Sequence, residues 1–228
     1  MRILITCATK QELEPLLSKY QKNTEPTKYF GLSTTSNKQI DVLFSGVGML
    51  STCFALTQHL QHNRYDMVLN VGIAGSVTHA ELGKVYQVMK EHVYELGAEN
   101  RGSFIALQDM NFLSYDDPLH DKFFAVSNKV VEVDLPKATG ITVNKIHGTA
   151  SSIERLHACI AQEGIQDAVI ESMEGAAFAY VCRQLNQAAI QVRSVSNIVE
   201  ERNRENWKMK EAIKALNDWL FEFIEKDG

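Results

Sequence analysis

The stretch from Asp66 to Ser76 reads DMVLNVGIAGS and joins a continuous apolar run to a glycine-rich end. The apolar run predicts a buried strand over 66–71, and the glycines predict a turn directly after it. A pattern with helical spacing over 50–62 precedes this strand. The same alternation of strand and helix continues in both directions along the chain, which favours an α/β fold.

Along the whole chain, the apolar periodicity predicts thirteen strands and helices. The predicted strands cover 3–7, 29–35, 39–44, 66–71, 84–96, 139–146, 168–170 and 188–194. The predicted helices cover 11–20, 50–62, 151–163, 174–186 and 207–225, with Ser151 as a capping residue three positions before Glu154. We therefore expect a three-layer α/β/α sandwich with a central mixed, mostly parallel sheet, in one domain over 1–228.

Composition excludes several classes of protein. The 228 residues hold 23 Lys and Arg against 28 Asp and Glu, a net charge of −5, which argues against nucleic acid as a partner. With 45% apolar and 22% charged residues, the chain resembles an ordinary soluble protein, and no apolar run approaches the roughly 20 residues that span a bilayer. Its four cysteines lack metal-ligand spacing. We predict a cytoplasmic protein without membrane contact, metal or cofactor.

Carboxylates follow two of the predicted strands. In an α/β sheet, ligands collect at the carboxyl ends of the strands. Glu12 and Glu174 each stand where a helix begins, and the positive end of a helix favours an ionised carboxylate. Taken alone, Glu12 is also explained by a solvated position in the first helical turn. Glu174 lies among small apolar residues and is expected to be buried, so it needs a partner in the protein or in a ligand.

Five segments together resemble the superfamily of purine nucleoside phosphorylases and methylthioadenosine nucleosidases, and within it most closely the futalosine hydrolase family. They are SGVG at 45–48, NVGIAGS at 70–76, ELGAE at 95–99, ESMEGAA at 171–177 and SNIVEERNRENW at 196–207. The resemblance extends from Met1 to about Leu220 and is weakest between 100 and 135. It implies hydrolysis of the bond between ribose and hypoxanthine in futalosine, on the route to menaquinone.

The resemblance also implies roles for individual residues. Glu12 matches the carboxylate that activates water, and Glu174 the one that binds the ribose hydroxyls. Asn197 matches the position that holds purine N7. The other implied substrate contacts are Met173 at the sugar, the backbone of Ile73, Ala74 and Gly75 in a loop under the base, and Ser45, Val47, Ser172 and Ser196.

Two departures from the family pattern bear on the substrate. Ser172 stands where methylthioadenosine nucleosidases commonly have a Glu, with Glu171 one residue before it, so the contacts to the base edge stay open. Asn197 replaces an Asp. An amide offers N–H donors to both N7 and O6 of a 6-oxopurine, whereas an ionised Asp only accepts. A lone Asn after a strand is equally typical of a turn.

The absence of arginines from three segments of the sequence predicts which nucleophile attacks the ribose. Phosphorylases of the superfamily bring arginines to their phosphate, but the stretches 7–12, 45–50 and 70–76 hold no Arg and only Lys10. A phosphate dianion needs such partners, so we expect water to attack.

The benzoate of futalosine carries a negative charge and is expected to bind a cationic side chain. Arg202 or Arg204 is our candidate. A solvated charged loop is the alternative explanation for both residues. Three alternatives stay open: a methylthioadenosine or adenosylhomocysteine nucleosidase, a nucleoside phosphorylase, and a nucleoside-binding protein without turnover. The resemblance further implies a homo-oligomer, a dimer or larger.

Overall fold

The computed structural model describes residues 1–20, 28–34, 37–129 and 131–226. Its strands, in chain order, are β1 (Arg2–Cys7), β2 (Tyr29–Leu32), β3 (Gln39–Phe44), β4 (Met67–Thr78), β5 (Val85–Val93), β6 (Gly97–Asn100), β7 (Ser103–Ala106), β8 (Phe124–Ala125), β9 (Lys137–Thr142), β10 (Ala168–Ser172) and β11 (Ala189–Ile198). Its α-helices are α1 (Glu14–Tyr20), α2 (Met49–His62), α3 (Ala150–Gln162), α4 (Gly175–Gln184) and α5 (Met209–Glu225). Position 35, which ends one predicted strand, lies outside the described residues.

The main sheet has the order β10-β9-β5-β11-β4-β1-β3-β2, and β8 pairs with β5. β1 is parallel to both β3 and β4, and β11 is parallel to β4, whereas β5 runs antiparallel to β11. This confirms the predicted mixed α/β sheet. β6 and β7 form a separate two-stranded sheet.

The sheet also closes on itself, which we did not predict. β10 is parallel to β9 and, at the same time, pairs antiparallel with the second half of β4. The strands β4, β11, β5, β9 and β10 therefore form a closed ring of hydrogen-bonded neighbours. The strands β1, β3 and β2 extend from this ring as an open sheet.

The helices cover both faces of the open part of the sheet because β1 alternates its side chains. Ile3 and Ile5 point into a cluster with α1 and α5, while Leu4 points into a cluster with α2 and α4. A third cluster packs α3 against the ring through Leu156 and Ile160. None of the described helices is long and apolar enough to cross a membrane.

Two strands extend well past their predicted carboxyl ends. β4 does not stop at 71 but runs through the glycine-rich segment to Thr78, and β11 continues past 194 to Ile198. The reason is tertiary pairing: β10 binds one side of this segment of β4, and Asn197 is in register with Gly75 on the other side. Asn197 therefore lies within a strand and not in a turn, and Ile73 to Gly75 form a strand and not a loop.

The capping residue of α3 was also predicted wrongly. Thr149 is the N-cap, and its backbone N–H donates to the Ser152 hydroxyl at 3.4 Å. Ser151 instead lies inside the first turn of the helix.

Candidate active site

Glu12 is buried at the carboxyl end of β1. The chain leaves β1 through Thr9 into a short 3₁₀ helix, Lys10–Leu13, which turns Glu12 inward with only 8% of its surface exposed. Its Oε2 accepts hydrogen bonds from the Thr9 backbone N–H at 2.9 Å and the Thr9 hydroxyl at 3.1 Å. Its Oε1 accepts from the Ile73 backbone N–H at 3.2 Å. The solvated alternative for Glu12 is therefore wrong.

Glu174 is buried at the start of α4, where it is the N-cap residue. Its Oε1 accepts from the backbone N–H of Gly48 at 3.0 Å, and Gly48 is itself the N-cap of α2. Two helix N-termini thus meet at this carboxylate. Gly48 has a φ of +88°, a conformation that favours glycine, so the SGVG segment contributes a backbone donor as well as a turn.

Arg193 is the main site residue that sequence reasoning missed. It lies in β11, is only 2% exposed, and its Nε and Nη2 have no hydrogen-bond partner within the part of the chain that the structure describes. A Cβ on residue 72 would collide with both Arg193 Nη1 and Glu12 Oε1, so Gly72 is what allows these two groups to approach each other. A lone Arg in the apolar strand AIQVRSV was a usable signal, because a buried cation requires a carboxylate nearby.

Opposing effects set the charge of Glu12. Burial raises its pKa above the ordinary value of 4.5, while the positive charge of Arg193 and the N–H groups of Thr9 and Ile73 lower it; the net direction is upward. The negative charge of Glu174 raises it further. A carboxylate with a raised pKa is a stronger base, which suits proton abstraction from water.

A further buried acid, Glu91, lies against the start of α4. Glu91 accepts hydrogen bonds from the Thr142 hydroxyl at 2.8 Å and from Gln191 Nε2 at 2.6 Å, and burial raises its pKa to about 7. The Thr142 hydroxyl oxygen in turn accepts from the backbone N–H of Ala176 at 2.8 Å. A Cβ on Gly175 would collide with Glu91, so this glycine is required where α4 begins. The network holds the end of α4 that carries Glu174.

Asn197 lies across the site, on β11. Its Oδ1 accepts from the Ser196 hydroxyl at 2.9 Å, and its Nδ2 donates to the Ile198 carbonyl at 3.0 Å. One of the two amide N–H groups is thus used within the protein. The expectation that Asn197 alone donates to both N7 and O6 must be corrected, since a single N–H remains for the base.

The other predicted contacts fall into three groups. Ser45, Ser172, Ala74, Gly75 and Ser196 are buried around the strand ends, and Met173 and Ile73 are half-buried beside the two carboxylates. Val47 is 55% exposed on the loop that precedes α2. The Ser172 hydroxyl has no hydrogen-bond partner among the described residues.

Arg202 and Arg204 both lie against Trp207, with guanidinium carbons 5.5 and 5.7 Å from the centre of its ring. Arg202 and Trp207 also line a cavity whose wall includes Gly75 and Asn197. Arg204 begins a 3₁₀ helix and is exposed. The structure therefore brings one of the two arginines to the candidate site.

His147 and Glu171 are two further residues of this cavity that sequence reasoning did not assign. His147 Nδ1 is hydrogen-bonded to Glu171 Oε2, and both side chains are only 4% exposed. Among the described residues, no group of three or more His, Cys, Asp or Glu side chains is arranged to hold a metal ion.

Comparison with known proteins identifies the family of this chain. The family model of the phosphorylase superfamily matches residues 2–225. Futalosine hydrolase from Acidothermus cellulolyticus is 28% identical over 77% of this chain and 71% of its own length, and that from Thermus thermophilus is 26% identical over 82% and 81%. Futalosine hydrolase from Streptomyces coelicolor is 29% identical over 78% and 75%.

Solved structures show the same fold. A methylthioadenosine/adenosylhomocysteine nucleosidase from Colwellia psychrerythraea, in complex with adenine, superposes with a TM-score of 0.76 at 18% identity over 98% of this chain and 94% of its own. A futalosine hydrolase mutant of Helicobacter pylori superposes with a TM-score of 0.74 at 16% identity over 98% of each chain. These findings confirm the resemblance drawn from the sequence motifs: the chain belongs to the phosphorylase superfamily.

Proposed function

We propose that this protein is an N-ribosyl hydrolase that releases hypoxanthine from futalosine and leaves dehypoxanthine futalosine. The observation that carries the proposal is the arrangement at the strand ends. A buried carboxylate of raised pKa, Glu12, lies near Arg193 and within electrostatic range of Glu174, and the Nε and Nη2 of Arg193 have no hydrogen-bond partner among the described residues. This arrangement suits the activation of a water molecule beside a ribose.

The charge of the site favours water over phosphate. The stretches 7–12, 45–50 and 70–76 hold no Arg, but β11, which our prediction from these stretches did not include, brings Arg193 to the site. Its single positive charge is outnumbered by the carboxylates of Glu12 and Glu174, so the three groups together carry −1 when ionised. A phosphate dianion would be repelled by this site, whereas a neutral water molecule is not.

The mechanism follows from how charge develops. Cleavage of the ribosyl bond puts positive charge on the sugar and negative charge on the base, as in glycoside hydrolysis. Glu12 accepts the proton of the attacking water, and Arg193 offers N–H donors to the same water. Glu174 accepts hydrogen bonds from the ribose hydroxyls while its negative charge stabilises the cationic ring. Met173 packs against the sugar.

The leaving base lies over Ile73 to Gly75 and is bound at N7 by the free N–H of Asn197. The Ser196 hydroxyl fixes the orientation of this amide through Asn197 Oδ1. A donor at N7 stabilises the negative charge on the departing base without a proton transfer. Futalosine as the substrate is supported by three relatives that are named futalosine hydrolase and by the amide side chain of Asn197.

One assay tests the proposal. The protein is incubated with futalosine, inosine and methylthioadenosine, with and without phosphate, and the released base is identified. We expect hypoxanthine from futalosine at a rate independent of phosphate. Adenine release from methylthioadenosine alone would indicate the rival nucleosidase, strict phosphate dependence a phosphorylase, and no release from any substrate a nucleoside-binding protein.

Of the two arginines, we propose Arg202 as the benzoate anchor, because Arg202 lines the cavity with Asn197 and Arg204 does not, although both lie against Trp207. Arg202→Ala is expected to raise KM for futalosine by about tenfold to a hundredfold, the loss of one charged hydrogen bond. KM for inosine, which has no benzoate, should stay unchanged. Arg204→Ala is the matched control, and equal KM values for futalosine in both variants and wild type would disprove the anchor.

We also propose a homo-oligomer. Leu50 and Phe54 of α2 are 88% and 65% exposed, and Val47 of the loop before α2 is 55% exposed. Such an apolar stripe marks a protein interface. Leu50→Glu is expected to convert a wild-type dimer or larger assembly into a monomer, measured by light scattering after gel filtration. A monomeric wild-type protein at tens of micromolar would contradict this.

The single domain over 1–228, the cytoplasmic location and the place in menaquinone synthesis stay predictions from the sequence.

A further inference from the structure

Asn217 is a buried amide on α5 that bonds to three backbone groups. It is only 1% exposed and lies among the buried apolar residues of this helix. Its Nδ2 donates to the carbonyls of Glu12 at 2.9 Å and Ile213 at 2.7 Å, and its Oδ1 accepts from the backbone N–H of Leu16 at 3.1 Å. None of the three partners can exchange the roles of donor and acceptor, so together they fix the orientation of the amide. Asn217 thus holds the backbone of Glu12 from 205 residues away.

The amide joins two backbone groups that an α-helix would join directly. In an uninterrupted α-helix, the N–H of Leu16 would donate to the carbonyl of Glu12. Here a 3₁₀ helix covers Lys10–Leu13, and α1 begins only at Glu14. The N–H of Leu16 and the carbonyl of Glu12 each bond to the amide of Asn217 instead. A side chain inserted between two such groups changes the course of a helix, so Asn217 marks the point where 3₁₀ geometry gives way to α.

The 3₁₀ geometry determines the direction of the Glu12 side chain. A 3₁₀ helix turns by about 120° per residue and an α-helix by about 100°, so each residue converted to α would turn this side chain by about 20°. The carboxylate would then shift relative to the N–H groups of Thr9 and Ile73 from which it accepts. A misplacement of about 1 Å at a reacting group can cost about a hundredfold in rate. The junction held by Asn217 is therefore a point on which the chemistry depends.

We propose that Asn217 of α5 is a positioning residue, which holds the proton-accepting carboxylate of Glu12 in place through the backbone carbonyl of that residue. The proposal rests on the function proposed above, in which Glu12 takes a proton from water. Asn217 is not one of the described residues that line the cavity beside Asn197, so it acts through Glu12. A residue that only stabilised the fold would neither change the pKa of Glu12 nor depend on its carboxylate for an effect on rate.

The kinetic test compares Asn217→Leu with a control on the same helix. In Asn217→Leu, the N–H of Leu16 can bond directly to the carbonyl of Glu12, so the α-helix extends backwards. We expect kcat with futalosine to fall about tenfold to a hundredfold, while KM changes less than about threefold. The control is Ile224→Ala, about two turns further along α5, which removes buried apolar atoms. It should lower the thermal unfolding temperature and leave kcat and KM unchanged.

Asn217→Ser is a second variant with the same expected loss of kcat. A serine hydroxyl in a helix can donate to the carbonyl four residues before it, here that of Ile213, which the amide already bonds. It is too short to reach Glu12. This variant therefore keeps one of the three hydrogen bonds and removes the two at the junction.

The double variant Glu12→Gln/Asn217→Leu separates positioning from stability. If Asn217 acts through the carboxylate of Glu12, its replacement costs no further rate once that carboxylate is gone. We then expect kcat of the double variant to equal that of Glu12→Gln within about twofold. A residue that only stabilised the fold would lower kcat by the same factor with and without the carboxylate.

The pKa of Glu12 provides a measurement that needs no turnover. Carbon-13 NMR of the Glu carboxyl carbons follows their titration, and the Glu12 signal is identified by its absence from Glu12→Gln. Loss of hydrogen-bond donors to a carboxylate raises its pKa. We expect the pKa of Glu12, which burial already raises, to be higher still in Asn217→Leu and unchanged in Ile224→Ala. Arg193 and Glu174, the charged groups that act on this pKa, are present in both variants.

Three results would overturn the inference: wild-type kcat in Asn217→Leu, an equal loss of kcat with and without the Glu12 carboxylate, or an unchanged pKa of Glu12 in Asn217→Leu. If Asn217→Leu does not fold, Asn217→Ser takes its place in each measurement. Failure of the proposed function is read separately. A chain that releases no base from futalosine, yet shows the higher pKa of Glu12 in Asn217→Leu, would keep the positioning role and remove the reaction.

Discussion

Glu12→Gln is expected to lower kcat by a factor of about 10²–10⁴ and to change KM for futalosine little, because it removes the base that takes a proton from water. The glutamine keeps one oxygen, which can accept from the Thr9 backbone N–H as Oε2 does, but it loses the acceptor that Oε1 provides for the Ile73 N–H. Steady-state kinetics with futalosine measures both constants. Glu14→Gln, two residues away and exposed, is the matched control.

The pH dependence gives an independent check on Glu12. The base must be ionised to act, so kcat should fall as the pH drops through its pKa. Because burial raises that pKa, the fall should begin above the ordinary carboxyl value of 4.5. The acidic limb should disappear from the residual activity of Glu12→Gln. Near-normal turnover in this variant would exclude Glu12 as the base.

Arg193→Met should lower kcat by about 10²–10³, the loss seen when one preorganised donor is removed from a reacting group. The variant also removes the positive charge that lowers the pKa of Glu12, so the acidic limb of the pH profile should move to higher pH. Arg155→Met, at an exposed position on α3, is the control.

Arg193→Met should also lower the stability of the fold. The variant removes the positive charge that lowers the pKa of Glu12 and leaves Glu12 and Glu174 buried without it. Removing one partner of a buried set of charges is strongly destabilising, so we expect a lower thermal unfolding temperature. An unchanged unfolding temperature would mean that the guanidinium does not compensate these carboxylates.

The strand-end residues could be predicted because local patterns define them. An apolar run followed by a carboxylate and a helical pattern identifies Glu12 and Glu174 without any knowledge of the partner strands. The mixed sheet could be predicted for the same reason, since alternating strands and helices have few ways to pack.

What could not be predicted depends on contacts between distant segments. Gly72 and Gly75 indicated a turn, yet β10 pairs with this part of β4 from about 95 residues away and keeps it extended. The register that places Asn197 opposite Gly75 comes from a second long-range pairing, that of β11 with β4. Arg193 was assigned only to a strand because nothing local shows that its side chain approaches Glu12. His147 lies in a loop with no periodicity to indicate its role.

The closed ring of β4, β11, β5, β9 and β10 has a consequence for how the protein meets its ligand. Each of these strands is hydrogen-bonded on both sides, so none can swing outward alone to admit or release a molecule. Asn197, Arg193 and Glu171 all belong to ring strands, and their mutual spacing is set at folding and not at binding. Entry and exit must therefore depend on the segments outside the ring, the SGVG loop and the stretch from Glu200 to Trp207, while the chemistry proceeds on a frame that does not rearrange.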